Sequence, residues 1–386
     1  MTLTARSLSR RGFVQILGAG AAATALRLPA SLAAATGAAP AIKAAPVKAK
    51  AKHAAGEVVR LSSNENPYGP SPAAFDAMRE SFGLAWRYPD EHVDALIAEL
   101  AKLHGVGDDQ ILPGAGSSEI LKIAALAFNG PGKPAVTADP TFEALARYAS
   151  KTGAPVVKVP LTADHRHDVP AMLKAAAGGG LLYVCNPNNP TATITPKGQI
   201  RDLIAQAPAN ATVLVDEAYH HYADSADYET VIPLIHDHPN LIVARTFSKI
   251  HGMAGLRLGY AVAQPGTLAK LREQQAFDSL NILVVVAAQA SLKDTAHLER
   301  SRRLNRETRD WLRTSAAGMG YKTLPTETNF LMIDLKKDVT PVIASLKDHG
   351  VEVGRRFAAM PECLRVTVGT RPQMEAFLAA FRKVMA

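Results

Sequence analysis

Three stretches decide the fold: LLYVCNPNNP (residues 181–190), TVLVDEAY (212–219) and LIVARTFSK (241–249). Each opens on a short apolar run, at 181–185, 212–215 and 241–244, and then breaks abruptly into polar residues. Unbroken apolar runs of this length mark strands buried on both faces, as in a parallel sheet covered by helices on either side. Residues 135–138, 156–159 and 259–262 read as further strands of the same kind. Between them, helical spacing runs over 118–128, 142–150, 169–177, 197–206 and 265–275. Alternating strands and helices predict an α/β fold: a three-layer α/β/α domain on a mostly parallel sheet.

Upstream, LSSNENPYGPSP (61–72) is a loop too rich in Asn, Pro and Gly for a helix, and helices are expected at 73–81 and 92–104. Downstream, a long helical region at 284–319 leads into strands at 330–335, 351–354 and 364–368 and helices at 341–349 and 373–385. This second pattern predicts a smaller α+β domain. The expected organisation is an arm contributing to the small domain (57–90), a large domain (91–283) and a small C-terminal domain (284–386).

The chain has 386 residues, 47% hydrophobic, enough for a large core, so its body is not disordered. The formal charge of +8 suggests a nucleic-acid partner until it is located. Residues 1–56 carry eight basic residues and no acid, which leaves 35 basic against 35 acidic residues in 57–386. The body is formally neutral, and no nucleic-acid partner is expected.

Within the basic segment, SRRGFVQ (9–15) has the pattern of a twin-arginine export signal. It is followed by an uncharged, mostly apolar stretch at 12–26 and small residues at 29–35. Arg27 interrupts the apolar run too early for a transmembrane helix, so no stable span is expected in the mature form. GAGAAA (18–23) imitates a dinucleotide loop, but the acid that such a motif needs about 20 residues on is missing; the first is Glu57. The expectation is a cleaved signal at 1–35, a disordered Ala/Lys/Pro linker at 36–56, engagement with the twin-arginine export machinery and a periplasmic protein.

Ligand chemistry in such sheets gathers at the carboxyl ends of the strands. There the sequence places Asn186 to Pro190, Asp216 with Tyr219, and Thr246, Ser248 and Lys249, while GAGSSE (114–119) opens a helix. One lysine, one aspartate, a tyrosine, an asparagine and a helix-start anion cradle suit pyridoxal 5'-phosphate. A partly desolvated lysine amine condenses with an aldehyde. An aspartate holds the pyridine nitrogen protonated, and a tyrosine and an asparagine bond the ring oxygen. Helix-start amides, with Ser117, Ser118, Thr246, Ser248 and Arg257, suit the phosphate.

In order along the chain, NENPYGP (64–70), Tyr88-Pro89-Asp90, NPNNPT (186–191), DEAY (216–219), TFSKIHGMAGLRLGY (246–260) and LRVTVGT (364–370) resemble the class I/II, fold type I aminotransferases, most nearly the histidinol-phosphate aminotransferase group. The resemblance covers 61–385. It implies that Lys249 is the Schiff-base lysine and proton shuttle, that Asp216 pairs with the ring nitrogen, and that Tyr219 and Asn189 pair with the ring oxygen. It further implies that Phe142 stacks on the ring, that Arg365 clamps the substrate carboxylate, and that Tyr88 reaches the phosphate of a neighbouring subunit in a homodimer with shared sites. Asn66, Tyr68 and Arg355 are candidate substrate contacts, and Asn189–Pro190 is expected to be cis. Where the family has Gly after Asn-Pro-Thr, this chain has Ala192, which would be strained if the turn needs a positive φ.

The reaction so implied is ping-pong transfer of an amino group from an amino acid, or an amino-acid-like phosphate such as histidinol phosphate, to a 2-oxo acid. Two other readings stay open at this point: a decarboxylase or lyase of amino acids or their phosphates, and an exported binding protein without turnover. Adjacent His220 and His221 lack metal-ligand spacing, and no metal is expected.

Overall fold

The computed structural model describes residues 58–386; the expected export signal (1–35) and the expected linker (36–56) lie outside the described residues. The chain runs β1 (Val59–Leu61), α1 (Pro72–Ser81), α2 (Asp90–His104), β2 (Ile111–Gly114), α3 (Ser117–Phe128), β3 (Ala135–Asp139), α4 (Ala144–Ser150), β4 (Val156–Pro160), α5 (Val169–Ala175), β5 (Gly180–Cys185) and α6 (Lys197–Gln206). It continues through β6 (Ala211–Asp216), β7 (Leu241–Thr246), β8 (Gly259–Ala263), α7 (Pro265–Arg272), α8 (Ile282–Lys293), α9 (Thr295–Gly318), β9 (Lys322–Thr323), β10 (Phe330–Asp334), α10 (Thr340–Asp348), β11 (Val351–Val353), β12 (Cys363–Thr367) and α11 (Arg371–Met385).

Seven strands form the large sheet in the order β2-β8-β7-β6-β5-β3-β4. From β7 to β4 all neighbours are parallel; β8 runs antiparallel to both β7 and β2. The sheet is therefore mostly parallel and covered on both faces. Val184, Val213, Val215 and Val243 share one core cluster with Leu96 and Leu100 of α2 and with Val284, Val285 and Ala288 of α8. Leu181, Tyr183, Leu214, Ile242 and Ala244 pack with Ile120, Leu121 and Ala124 of α3 in the other. This side-to-side alternation within continuous apolar runs is what a doubly covered strand requires.

The remaining strands form two small sheets, β12-β10-β9, which is antiparallel, and β1-β11, which is parallel. Together with α10 and α11 they enclose a separate core around Leu331, Val366, Phe377 and Phe381.

The structure departs from the sequence reading at four elements, one of them the two-residue strand β9, which the sequence reading did not include. The helical region expected at 284–319 is two helices, because the Asp294 side chain accepts a hydrogen bond from His297 N at 3.2 Å and caps a new helix where α8 ends. Strand β2 was not foreseen; it contains Pro113 and Gly114, and it tolerates the proline as an edge strand. Strand β1, also unforeseen, spans three residues that pair only with β11, nearly 300 positions away. Among the described residues no helix is long and apolar enough to cross a membrane.

Candidate active site

Strands β5, β6 and β7 are parallel, and β2, antiparallel to β8, points the same way as β7, so four carboxyl ends open on one edge of the sheet. Asp216 is the last residue of β6 and is buried. Its Oδ1 accepts from Ala218 N at 3.1 Å and its Oδ2 from the Tyr183 hydroxyl at 3.0 Å. Burial raises its carboxyl to about 6, against the lowering effect of those two donors and of Lys249.

Lys249 lies three residues past β7. Its Nζ donates to the backbone oxygens of Asn64 at 3.0 Å and Ser63 at 3.3 Å, and it lies 5.5 Å from the centre of the Tyr219 ring. Desolvation lowers its amine to about 8, with nearby Arg365 adding to the shift. A substantial share of that amine is therefore neutral near physiological pH, the form in which nitrogen is nucleophilic.

Tyr219 is buried, with its ring edge on Phe330 at 5.1 Å and 71°. Its hydroxyl accepts from Asn64 Nδ2 at 3.0 Å and Asn189 Nδ2 at 3.3 Å. Asn189 in turn accepts from Arg365 Nη1 at 2.8 Å through its Oδ1. Asn189–Pro190 is cis, as are Asp139–Pro140 and Asn186–Pro187.

The four carboxyl ends also assemble an anion cradle. After β2, Gly116 turns the chain with φ +85° into α3, whose first residues are Ser117 and Ser118 and whose N-terminus has no side-chain cap. A Cβ on Gly116 would stand 2.3 Å from Arg257 Nη2, so glycine lets that guanidinium lie against the turn. Arg257 Nη1 is also 3.4 Å from Ser248 Oγ, and Ser248 N donates to Thr246 Oγ1 at 3.1 Å. Free helix-start amides, serine hydroxyls and one arginine make a phosphate-sized site.

Arg365, on β12, comes from the other end of the chain into this cluster. It is 9% exposed, donates from Nη2 to Ser62 O at 2.6 Å, and has no acidic partner; its Nε is buried with no partner at all. Beside it opens a cavity of about 600 Å³ lined by Phe142, Glu143, Arg147, Lys151, Arg355 and Phe357 among others. Arg355 pairs with Glu143 at 2.9 Å, and both Arg355 and Arg365 lie over the Phe357 ring, at 4.5 and 5.2 Å.

The structure places three sequence candidates elsewhere. Asn66 Nδ2 donates to Ile250 O at 2.8 Å and its Oδ1 accepts from Tyr68 N at 3.1 Å, so its amide braces the loop beside Lys249. The Tyr68 hydroxyl is within hydrogen-bonding reach of Thr308 on α9. Tyr88 is 75% exposed, and within one chain no contact joins it to Lys249, Asp216 or Arg257.

Ala192 has φ +66° and is fully buried against Tyr219, Tyr222, Ile250 and Phe330, so the turn does require the positive φ in question. Cys185 is buried and Cys363 half-buried, and both are free thiols. His220 and His221 lie ring on ring at 3.7 Å, with His220 against Arg245 and His221 edge-on to His251.

The aminotransferase class I and II family model matches residues 56–381. The chain belongs to the class I and II aminotransferases. It is 40% identical over 334 residues to a histidinol-phosphate aminotransferase of Moorella thermoacetica, covering 86% of each chain. To the histidinol-phosphate aminotransferase of Bacillus subtilis it is 34% identical over 343 residues, covering 88% of this chain and 95% of that one. A solved structure of histidinol-phosphate aminotransferase from Sinorhizobium meliloti, in complex with pyridoxal-5'-phosphate, superposes with a TM-score of 0.81 at 29% identity, over 85% of this chain and 91% of that chain. The fold is that of the fold type I transferases.

This aminotransferase uses pyridoxal phosphate and moves an amino group between an amino donor and a 2-oxo acid. The residues present fit the cofactor: a desolvated amine, a buried carboxylate held by two donors, and an uncapped helix start facing an arginine. Sequence reasoning missed Asn64, which has φ +55°, donates to Tyr219, exchanges hydrogen bonds with Thr367 and supplies a carbonyl to both Lys249 and Asn329. It also missed Tyr183, whose strand context concealed its hydroxyl. The sequence signal for Asn64 was its place at the head of the NENPYGP stretch, in a loop rich in Asn.

Proposed function

We propose that this aminotransferase acts on a donor or acceptor carrying an anionic group, of the histidinol-phosphate or dicarboxylic type, at an active site shared between two copies of the chain outside the cytoplasm. Arg365 carries the substrate part of this reading. A buried guanidinium with only neutral partners and an unpartnered Nε is a counter-ion site for a carboxylate or phosphate. In the adjoining cavity Arg147, Lys151 and Arg355 outnumber Glu143, so a second negative charge on the ligand also finds partners there.

Pyridoxal phosphate, when bound, supplies an electron sink for the pair left as the substrate Cα–H bond breaks. Lys249 would hold the cofactor by its aldehyde carbon; once the donor's amine displaces it there, the freed Nζ would take the Cα proton and return it on the cofactor side. Asp216 would hold the pyridine nitrogen protonated, and Tyr219 and Asn189 would bond the ring oxygen. Ser117, Ser118, Thr246, Ser248 and Arg257 would hold the phosphate, with Phe142 against the ring.

Trp86 and Tyr88 before α2 are 74% and 75% exposed, two neighbouring aromatic side chains that support a second copy covering this segment and Tyr88 reaching its partner's phosphate. SRRGFVQ at 9–15 supports twin-arginine export and a periplasmic location. Sedimentation of the leader-free protein should give a dimer that Trp86→Asp weakens, and fractionation of cells expressing the full chain should find activity outside the inner membrane. A monomer, or purely cytoplasmic activity, would overturn those parts.

The substrate reading is tested by a half-reaction screen. Single amino donors, histidinol phosphate included, are added without acceptor, and loss of the lysine-linked absorbance is read with mass detection of the aminated cofactor. We expect conversion by an anionic donor, with KM raised at least tenfold in Arg365→Met. Turnover without any 2-oxo acid would point instead to a lyase.

A further inference from the structure

Tyr183 is the one phenol in the run LLYVC of β5 and is wholly buried. A leucine or valine would fill such a position without a polar atom to satisfy, whereas a buried hydroxyl without a partner is costly. The Tyr183 hydroxyl donates to Asp216 Oδ2 at 3.0 Å. In the register of β5 with β6, Tyr183 lies opposite Leu214 and Cys185 opposite Asp216, so Tyr183 is the diagonal neighbour of Asp216 on the same face. A tyrosine is long enough to span that diagonal. This is also the face covered by α3, whose N-terminus forms the anion cradle.

We propose that Tyr183 is a positioning residue whose hydroxyl, donating to Asp216 Oδ2, keeps that carboxylate ionised and aimed, and so sets how tightly and over what pH range pyridoxal phosphate is held by its ring nitrogen. This rests on the reading that Asp216 faces that nitrogen. The two donors, Tyr183 on Oδ2 and Ala218 N on Oδ1, fix the plane of the carboxylate and leave each oxygen a further lone pair. Burial works against the charge on Asp216, and Glu217 adds to that; the Tyr183 hydroxyl is the first among the interactions that favour the charge, ahead of Ala218 N and Lys249, and the buried Cys185 thiol is the remaining titratable group against the pair. Tyr183 itself remains a donor, because burial and the neighbouring Asp216 push its phenol far above its ordinary range. Removing the hydroxyl leaves the carboxylate with a single donor in the same dry surroundings, so it takes up a proton at higher pH and releases the ring nitrogen.

The test is a double-mutant cycle over Tyr183→Phe and Asp216→Asn, read by titrating the cofactor-free leader-free protein with pyridoxal phosphate between pH 6 and 9. Tyr183→Phe should weaken cofactor binding roughly ten- to a hundredfold, the range for one lost hydrogen bond to a charged group, with the loss growing toward low pH. The lysine-linked absorbance should change its pH profile along with it, and the melting midpoint of the cofactor-free protein should stay near wild type. In the Asp216→Asn background, Tyr183→Phe should change affinity by less than about twofold, because the two residues then act as one unit. Equal weakening in both backgrounds, or wild-type affinity and pH profile in Tyr183→Phe, would reduce the phenol to core packing and overturn the proposal. If Asp216→Asn itself binds the cofactor as wild type does, the role of Asp216 fails first and that of Tyr183 with it.

Discussion

Ala192 takes the chain through a left-handed turn, the conformation that favours glycine, and it does so fully buried, among Tyr219, Tyr222, Ile250 and Phe330. The positive φ costs an alanine about 1 kcal/mol, while its methyl group returns about 0.8 kcal/mol by burial. We therefore expect Ala192→Gly to shift stability by no more than about 1 kcal/mol in denaturant melts. A second prediction concerns Lys249. Its amine is lowered to about 8 from an unfolded value near 10.5, so below about pH 8 the folded protein holds a half-buried, partly desolvated charge at a cost. Lys249→Met should raise the stability of the cofactor-free protein by about 1–3 kcal/mol at pH 7. That gain should shrink as pH rises from 8 to 10.5, where the wild-type amine is neutral when folded. A gain that does not vary with pH would mean that Lys249 is not desolvated.

Among elements, the ends of β6 and β7 are tied by an ion pair buried beneath the site. Arg245 Nε donates to Glu217 Oε2 at 2.8 Å and its Nη2 to Thr230 Oγ1 at 2.8 Å, while Glu217 Oε1 accepts from Val231 N at 2.7 Å. Both side chains are nearly inaccessible, at 5% and 1%. Removing one partner strands the other charge, so Arg245→Met should cost about 3–5 kcal/mol in chemical denaturation. Because Asp216 precedes Glu217 and Lys249 follows Arg245 by four residues, the same variant should also loosen cofactor binding. The elements themselves were largely legible. The apolar runs at 181–185, 212–215 and 241–244 announced doubly covered strands, since only such strands lack alternation. The break at Asp294 was not legible in periodicity, because α8 is apolar on nearly every side and so has no single face whose phase could be compared with that of α9.

For the whole molecule, buried histidines set the acid limit. Desolvation lowers His104 and His167 to about 4 and His251 to about 3, from an ordinary value of 6.5. His104 Nε2 lies 2.8 Å from the Tyr260 hydroxyl and His251 Nδ1 lies 2.8 Å from Ser291 Oγ, so each ring bonds a neutral hydroxyl, while the nearby Arg245 charge also disfavours protonation. A lowered folded value means that the unfolded chain binds more protons, so this stability is complete above about pH 6.5 and is lost as pH falls toward 4. The melting midpoint of the cofactor-free protein should be flat from pH 7 to 8 and fall steadily below 6.5. His104→Gln should flatten part of that fall, and a midpoint independent of pH down to 5 would contradict the neutral-histidine account.

The sequence by itself determined the layer order and the location of the chemistry, because strand burial and strand-end polarity are written in neighbouring residues. Asp216, Tyr219, Lys249 and the start of α3 could each be placed at a strand end from local pattern alone. What only the tertiary structure decided is the set of long-range partners. Asn64 meets Thr367 across 303 positions, Arg365 meets Asn189 across 176, and Tyr183 meets Asp216 across 33. Such contacts depend on strand order and on how the small sheets close over the large one. Those follow from packing surfaces summed over the whole chain, which no local stretch of sequence contains.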